Sequence, residues 1–374
     1  MRAYRFAVIG FGSRGVHHTK MIEASLRPRA VCAAVCDVRK PTPEERRRFG
    51  DRFYRDHRGL LRKEKDLDFV LVTSQEAQHV EHALAVLRRG IPVYLEKAVS
   101  NTWKGAVRLY REVVRQSYPL FIGYNLRRFP AARVTETLLR SQRIGRVQSV
   151  LAHVNTGNEF GAGVFLQQYC RDAHLSGDIV LSKLTHDTEW IQYILETTAE
   201  TCTAVATRNV WTLPPHPTLD RKLLQEVSPS LPKPTSHDTC AMTGLFANGS
   251  VFTFVFTTAG PDYERRYVFS GTKGQIETIL HTRRPGAREA SVVLWPYKGK
   301  PRHVNVPSGR GSHGGGDEGV HRDFFRWLAT HPRAPREPHS ILLGMLVPTA
   351  ALQSARTGRQ IDCAQRMRKA LGTV

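Results

Sequence analysis

The sequence has little cysteine, little lysine, few acidic residues and no long apolar run. Six cysteines in 374 residues, scattered along the chain, do not make a disulfide framework. Cys32 and Cys36 share one apolar stretch at the spacing of same-face residues in a buried strand. No cysteine and histidine set has metal-ligand spacing; His79 and His82 form a helical pair without further ligands nearby. Reduced thiols, a cytoplasmic location and no bound metal are therefore expected. No stretch approaches the about 18 consecutive apolar residues that cross a bilayer, so no membrane helix is expected. The N-terminal residues run straight into Tyr4-Arg5-Phe6-Ala7-Val8-Ile9, a strand pattern without the features of an export signal. There is no internal repeat and no long low-complexity tract.

The shortage of acid leaves a large positive balance. Lys and Arg number 55 against 33 Asp and Glu, a formal net charge of +22. Arginine supplies 42 of those 55 residues and lysine only 13. The excess is spread from Arg2 to Arg368, and its longest block is Arg46-Arg47-Arg48. Charge of this kind bears on solubility and non-specific binding rather than on fold, so nucleic acid is not an expected partner. The remaining composition, 41% hydrophobic and 24% charged, excludes a disordered chain. The length allows about two domains.

The first third carries the clearest pattern. An apolar run ends in Gly10-Phe11-Gly12-Ser13-Arg14-Gly15, a helical pattern follows, and a second apolar run from Ala30 to Cys36 ends at Asp37. This is the full context of a dinucleotide-binding turn, not an isolated glycine motif. Gly10 allows the tight turn, Gly12 lets backbone approach a pyrophosphate, and Gly15 lets helix and strand pack closely. The helix N-terminus then offers N–H groups and the positive end of its dipole. Asp37 accepts from ribose hydroxyls and favours NAD, while Arg14, Arg39 and Lys40 leave NADP open as the alternative. His17-His18 reads as helix surface.

Strands and helices then alternate. Strand patterns cover Asp68–Thr73, Pro92–Leu95 and Leu120–Gly123, and helical patterns cover Gln78–Arg89 and Trp103–Ser117. Such alternation predicts a parallel sheet with helices on both faces, whose ligands sit outside the carboxyl ends of the strands. Thr73, Glu96-Lys97 and Tyr124-Asn125 occupy such ends.

These residues carry a resemblance. Gly10 to Gly15, Thr73 with His79 after it, Gly90-x-x-Val93 and Glu96-Lys97 resemble the Gfo/Idh/MocA oxidoreductases, which include glucose–fructose oxidoreductase and inositol dehydrogenases. So do Gly123-Tyr124-Asn125-x-Arg127-x-Phe129, Ile144-Gly145-Arg146-Val147, Ser182-Lys183-x-x-His186-Asp187, Gly271-Thr272-Lys273-Gly274, Gly314-Gly315-Gly316-Asp317 and Ser354-Ala355-x-Thr357-Gly358-Arg359. The motifs span nearly the whole chain in the family's order. The chain departs from the family at Ala98, where Glu-Lys-Pro is usual, and at Ser182, where many dehydrogenase members carry Asp. Lys183 instead looks like a sub-group oriented to glycosides or carbohydrate derivatives.

The resemblance implies a Rossmann domain over residues 1–123 and an α+β domain with a mostly antiparallel open sheet over 124–374, the C-terminal helix packing back on the first domain. It implies a homo-oligomer, dimer or tetramer, acting on a small carbohydrate-like molecule. Lys97 is the expected general acid/base and His186 its relay, since desolvation lowers a lysine pKa and imidazole titrates near neutrality. Phe11, Ser13, Arg14, Arg39, Thr73, His79 and Glu96 join the glycines and Asp37 as expected cofactor contacts. Tyr124, Arg127, Arg171, Lys183 and Asp187 are the expected substrate contacts. Two other readings stay open: a glycosidase or lyase that oxidises transiently with bound NAD, and a cofactor-binding regulator without catalysis. In the second half, strand patterns appear at Val147–Val154, Thr201–Thr207, Ala241–Phe246, Ser250–Thr257 and Tyr267–Ser270, with Asn248-Gly249 as a hairpin dipeptide. Pro214–Pro234, Arg283–Arg288 and Lys298–Gly316 read as loops.

Overall fold

A computed structural model describes residues 3–25, 30–157, 169–210, 234–260, 262–282, 289–309, 312–331 and 333–372. The expected loop at Arg283–Arg288 and nearly all of Pro214–Pro234 lie outside the described residues. The chain forms two compact units, Met1–Tyr124 with Glu318–Leu342, and Asn125–Asp317 with Leu343–Val374.

In the first unit, strands β1 (Tyr4–Ile9), β2 (Ala30–Cys36), β3 (Phe53–Tyr54), β4 (Phe69–Val72), β5 (Val93–Leu95) and β6 (Leu120–Ile122) form one sheet, in the order β3-β2-β1-β4-β5-β6. Every pairing is parallel. Such strands are covered on both faces, which is why β4 is apolar and buried at every position. The intervening helices are α1 (Ser13–Ser25), α2 (Pro43–Phe49), α3 (His57–Lys63), α4 (Glu76–Leu87) and α5 (Trp103–Gln116). Side chains of Thr42, Asp56 and Thr102 cap α2, α3 and α5. The strand order reverses between β1 and β4, so the crevice beyond their carboxyl ends is the place for a ligand.

Phe6 stacks on Phe69 at 5.0 Å in the core of this unit. The helix Gly316–Thr330 brings Phe324 into the same core, with ring centroids 5.0 Å from Phe69, 5.3 Å from Phe121 and 5.4 Å from Tyr94. Sequence distance hides this contribution, because 203 residues separate Phe121 from Phe324.

In the second unit, helix α6 (Pro130–Arg140) precedes a nine-stranded sheet. Its strands are β7 (Val147–Thr156), β8 (Thr201–Thr207), β9 (Thr239–Leu245), β10 (Val251–Thr257), β11 (Tyr263–Gly271), β12 (Gly274–Thr282), β13 (Ser291–Pro296), β14 (Arg302–Val304) and β15 (Ile361–Asp362). The order is β14-β13-β12-β11-β7-β10-β9-β8-β15, and only β7 and β10 pair in parallel. Alternation sorts the faces: Phe252, Phe254 and Phe256 of β10 are buried, while Val251 is exposed. The buried face carries the helix Ile179–Ile194, whose Trp190 meets Tyr267 at 5.0 Å. Asn248-Gly249 does turn β9 into β10, with Gly249 at φ +83°.

β11 extends beyond its strand pattern at Tyr267–Ser270, and β14 falls within the expected loop Lys298–Gly316. β14 is a short outer strand with little burial, so it carries no apolar alternation to detect. Phe324→Ala should lower the stability of the first unit by about 3–5 kcal/mol. A urea titration checks this as a lower midpoint at unchanged slope.

Candidate active site

The three glycines of the turn do three different things. Gly10 has φ +94°, and a Cβ there would strike the backbone of Thr73 and Ser74. A Cβ on Gly15 would strike the Gly10 carbonyl and come within 2.9 Å of Thr73 Oγ1. A Cβ on Gly12 would meet nothing within 4 Å. Two glycines thus allow strand and helix to close, and the third leaves room for a ligand against backbone. Thr73 Oγ1 donates to the Gly10 carbonyl at 2.7 Å and ties β4 to the turn. Ser13 opens α1, so the N–H groups and positive dipole end of the helix lie at the turn. Phe11 is an anchor: its buried ring packs on Phe49 at 5.5 Å. Asp37 follows the last residue of β2, where a ribose would lie, and its Oδ1 accepts from the Arg39 backbone N–H at 3.0 Å. These residues fit a dinucleotide.

At the end of β5 a buried charge network replaces the separate contacts expected. Glu96 Oε1 accepts from Arg14 Nη2 at 2.8 Å and lies 2.6 Å from His18 Nε2. His18 Nδ1 lies 2.7 Å from His321 Nε2. Glu96 Oε2 accepts the backbone N–H of Lys97 at 3.0 Å. Burial works to raise the Glu96 carboxyl, but Arg14, His18 and Lys97 outweigh it and hold the group well below the usual carboxylate range.

The network corrects one expectation: His18 is fully buried, not helix surface. Arg14 gives part of its fork to the carboxylate. Glu96 holds the backbone of Lys97 from within the protein. His79 is buried as well, its ring nitrogens each 2.7 Å from the carbonyls of Ser74 and Ala98. It bridges the ends of β4 and β5. Lys97 itself is half-buried at that same end, and the peptide from Lys97 to Ala98 is cis.

The second unit holds the other expected residues apart from Tyr124. The helix Ile179–Ile194 starts at Asp178, whose Oδ1 accepts from Val180 N–H at 3.0 Å while Oδ2 lies 2.7 Å from His237 Nδ1. Ser182 and His186 are buried on this helix and Lys183 is half-buried.

Asp187 is not available to substrate: its carboxylate takes bonds from Arg265 and Tyr267 of β11. Burial opposes the Arg265 charge, and Asp187 outweighs it and keeps the guanidinium protonated. Burial and Asp187 together push the Tyr267 phenol far up. Arg127 is likewise buried, paired with Glu189, with its guanidinium 3.5 Å above the Tyr193 ring. Tyr124, in the first unit, donates its hydroxyl to the Ser340 carbonyl at 3.2 Å. Arg171 closes a short 3-10 turn, and its carbonyl accepts from Thr235 N–H at 2.9 Å. Each of these bonds of Tyr124, Arg127 and Asp187 lies within one unit.

His321, His237, Glu189, Arg265 and Tyr267 went unnoticed in the sequence, since their partners lie 59 to 303 residues away. Among the described residues no group of three or more His, Cys, Asp or Glu side chains is placed to hold a metal ion. No described helix is long and apolar enough to cross a membrane. Asp187→Asn leaves Arg265 as an uncompensated buried charge and should cost about 3–5 kcal/mol of stability. Chemical denaturation checks this, and an unchanged midpoint would return Asp187 to the substrate side.

Comparison with known proteins places these features. Residues 4–124 match the Gfo/Idh/MocA model described as an oxidoreductase family with an NAD-binding Rossmann fold, and residues 133–277 match a C-terminal domain model of that family. Inositol 2-dehydrogenase 2 of Saccharopolyspora erythraea is 30% identical over 153 residues, 40% of this chain and 45% of that protein. Inositol 2-dehydrogenase of Acidothermus cellulolyticus is 27% identical over 213 residues, 55% of this chain and 58% of that protein. The chain thus spans about half the length of the curated relatives it matches. Two solved structures share the fold at low identity. An oxidoreductase from Agrobacterium radiobacter, in complex with NAD+, L-tartaric acid and magnesium, is 18% identical with a TM-score of 0.74, over 97% of this chain and 99% of that one. A levoglucosan dehydrogenase, in complex with NADH and levoglucosan, is 17% identical with a TM-score of 0.77, over 97% and 100%. With an NAD-binding Rossmann domain and the family's C-terminal domain both matched, the chain belongs to the Gfo/Idh/MocA oxidoreductases.

Proposed function

We propose that this chain is an NAD-dependent oxidoreductase for a CH–OH group of a sugar, polyol or sugar derivative, with Lys97 as general acid/base and His186 assisting. One observation carries the reading: Arg14, on the helix of the dinucleotide turn, bonds Glu96, and Glu96 holds the backbone of Lys97. The turn and the backbone of Lys97 are parts of one hydrogen-bonded assembly. The nicotinamide, when bound, supplies the hydride acceptor or donor. Lys97 takes the hydroxyl proton during oxidation and returns it during reduction. Glu96 stays ionised and orients the segment without exchanging protons. His186 passes the proton onward, and Lys183, with Arg171, binds substrate oxygens.

Asp37 supports NAD over NADP, because its carboxylate repels a 2′-phosphate. The inositol dehydrogenase relatives and the levoglucosan dehydrogenase structure support cyclic polyhydroxylated substrates. Leu151, Val205 and Val251 are exposed on the outer face of the nine-stranded sheet, which supports a homo-oligomer joined through that face. A cytoplasmic location follows the reduced state expected of the six buried thiols.

The test supplies NAD with a panel of cyclitols, hexoses and anhydrosugars and follows NADH absorbance. Net NADH in proportion to oxidised product is expected. Lys97→Met should lower turnover by ~10²–10⁴-fold while NADH binding is kept. Unchanged turnover would remove Lys97 from the role. Product formed without net NADH would point to transient oxidation with bound cofactor, and binding without turnover of any substrate to a regulator.

A further inference from the structure

The end of β2 holds a detail that bears on which dinucleotide is accepted. Arg39 lies two residues beyond Asp37, where a guanidinium ordinarily receives a 2′-phosphate. Here its fork is closed. Nη1 donates to Glu45 Oε2 at 2.7 Å and to the Lys40 carbonyl at 3.1 Å. Nη2 donates to Glu45 Oε1 at 2.5 Å and to the Phe11 carbonyl at 2.8 Å. The guanidinium also lies 5.8 Å from the centre of the Phe53 ring. Both guanidinium nitrogens that a phosphate would engage are occupied.

Glu45 is not free to follow the guanidinium elsewhere. It is the third residue of α2, and its Oε2 accepts the Thr42 backbone N–H at 2.8 Å while its own N–H donates to Thr42 Oγ1 at 3.2 Å. Pro43 presets that first turn. The carboxylate is 13% exposed and the guanidinium 37%. The bond to Arg39 holds the Glu45 carboxyl below the usual range, so it stays charged. A 2′-phosphate arriving here meets two carboxylates, Asp37 and Glu45, and an arginine already satisfied.

We infer that Glu45 is a cofactor-specificity residue: by holding Arg39 in an ion pair from the first turn of α2, it makes the site accept NAD and reject NADP. The inference rests on the dinucleotide reading above. It makes Glu45 a positioning residue acting through Arg39.

The test titrates NADH and NADPH separately into the purified full-length chain and reads binding by fluorescence. Wild type should bind NADH more tightly. Glu45→Gln keeps an oxygen for the Thr42 N–H but loses the charge, and should raise NADPH affinity about ten- to hundredfold relative to NADH. Thr42→Ala breaks the other half of the capping box and leaves the ion pair, so its preference should stay that of wild type. Removing Arg39 in the Glu45→Gln background should abolish the gain.

Four results overturn the inference. They are equal wild-type affinity for NADPH and NADH, no shift in Glu45→Gln, an equal shift in Thr42→Ala, or a gain that survives loss of Arg39, which would assign it to the exposed Lys40. Wild type that binds neither dinucleotide overturns the dinucleotide reading itself, and the inference with it.

Discussion

A single buried carboxylate organises the first unit. Glu96 ends β5 and touches the helix of the glycine turn through Arg14, the core through His18 and the following lysine through its backbone N–H. His321, from the returning helix, closes the set behind His18. A charge at this depth is costly unless paired and hydrogen-bonded on every side. The requirement therefore runs outward: the turn, the second turn of α1, the end of β5 and the helix Gly316–Thr330 must all be in place together. Lys97 inherits its position from that agreement.

The second unit solves the same problem twice on one helix. Asp187 and Glu189 are both fully buried, and each has its own arginine, Arg265 and Arg127. Removing one partner of such a pair is costly, because it leaves a buried charge unpaired. The two pairs tie the helix Ile179–Ile194 to β11 and to Arg127. Ser182, Lys183 and His186 lie on the helix so held. The glycine turn and this helix are thus built alike, each resting on internally neutralised charge.

Much of this was legible in the sequence. The parallel sheet announces itself through apolar runs ending in Gly10, Asp37, Thr73 and Glu96, because each strand is covered on both faces and needs no alternation. The hairpin at Asn248-Gly249 is local chemistry and is readable for that reason. What escaped were partners fixed by tertiary structure. His18 looks like surface because a histidine in a polar helix gives no sign of a carboxylate 78 residues away. Asp187 looks like a site residue beside His186, and only the register of β11 against the helix reveals Arg265 and Tyr267. Arg39 looks available for phosphate until α2 folds and its capping box presents Glu45.

The central claim is that Glu96 is ionised, buried and paired, and that this charge holds the turn and Lys97 together. Its carboxyl pKa is lower folded than unfolded, so it contributes stability above the unfolded value of about 4.3, lost as pH falls through the folded value. The direct test is the unfolding free energy of wild type and Glu96→Gln measured from neutral pH into acid. Wild type should show a clear advantage near neutrality that narrows as pH drops below about 4.3. A difference that stays constant across that range, or no difference at neutrality, would contradict it.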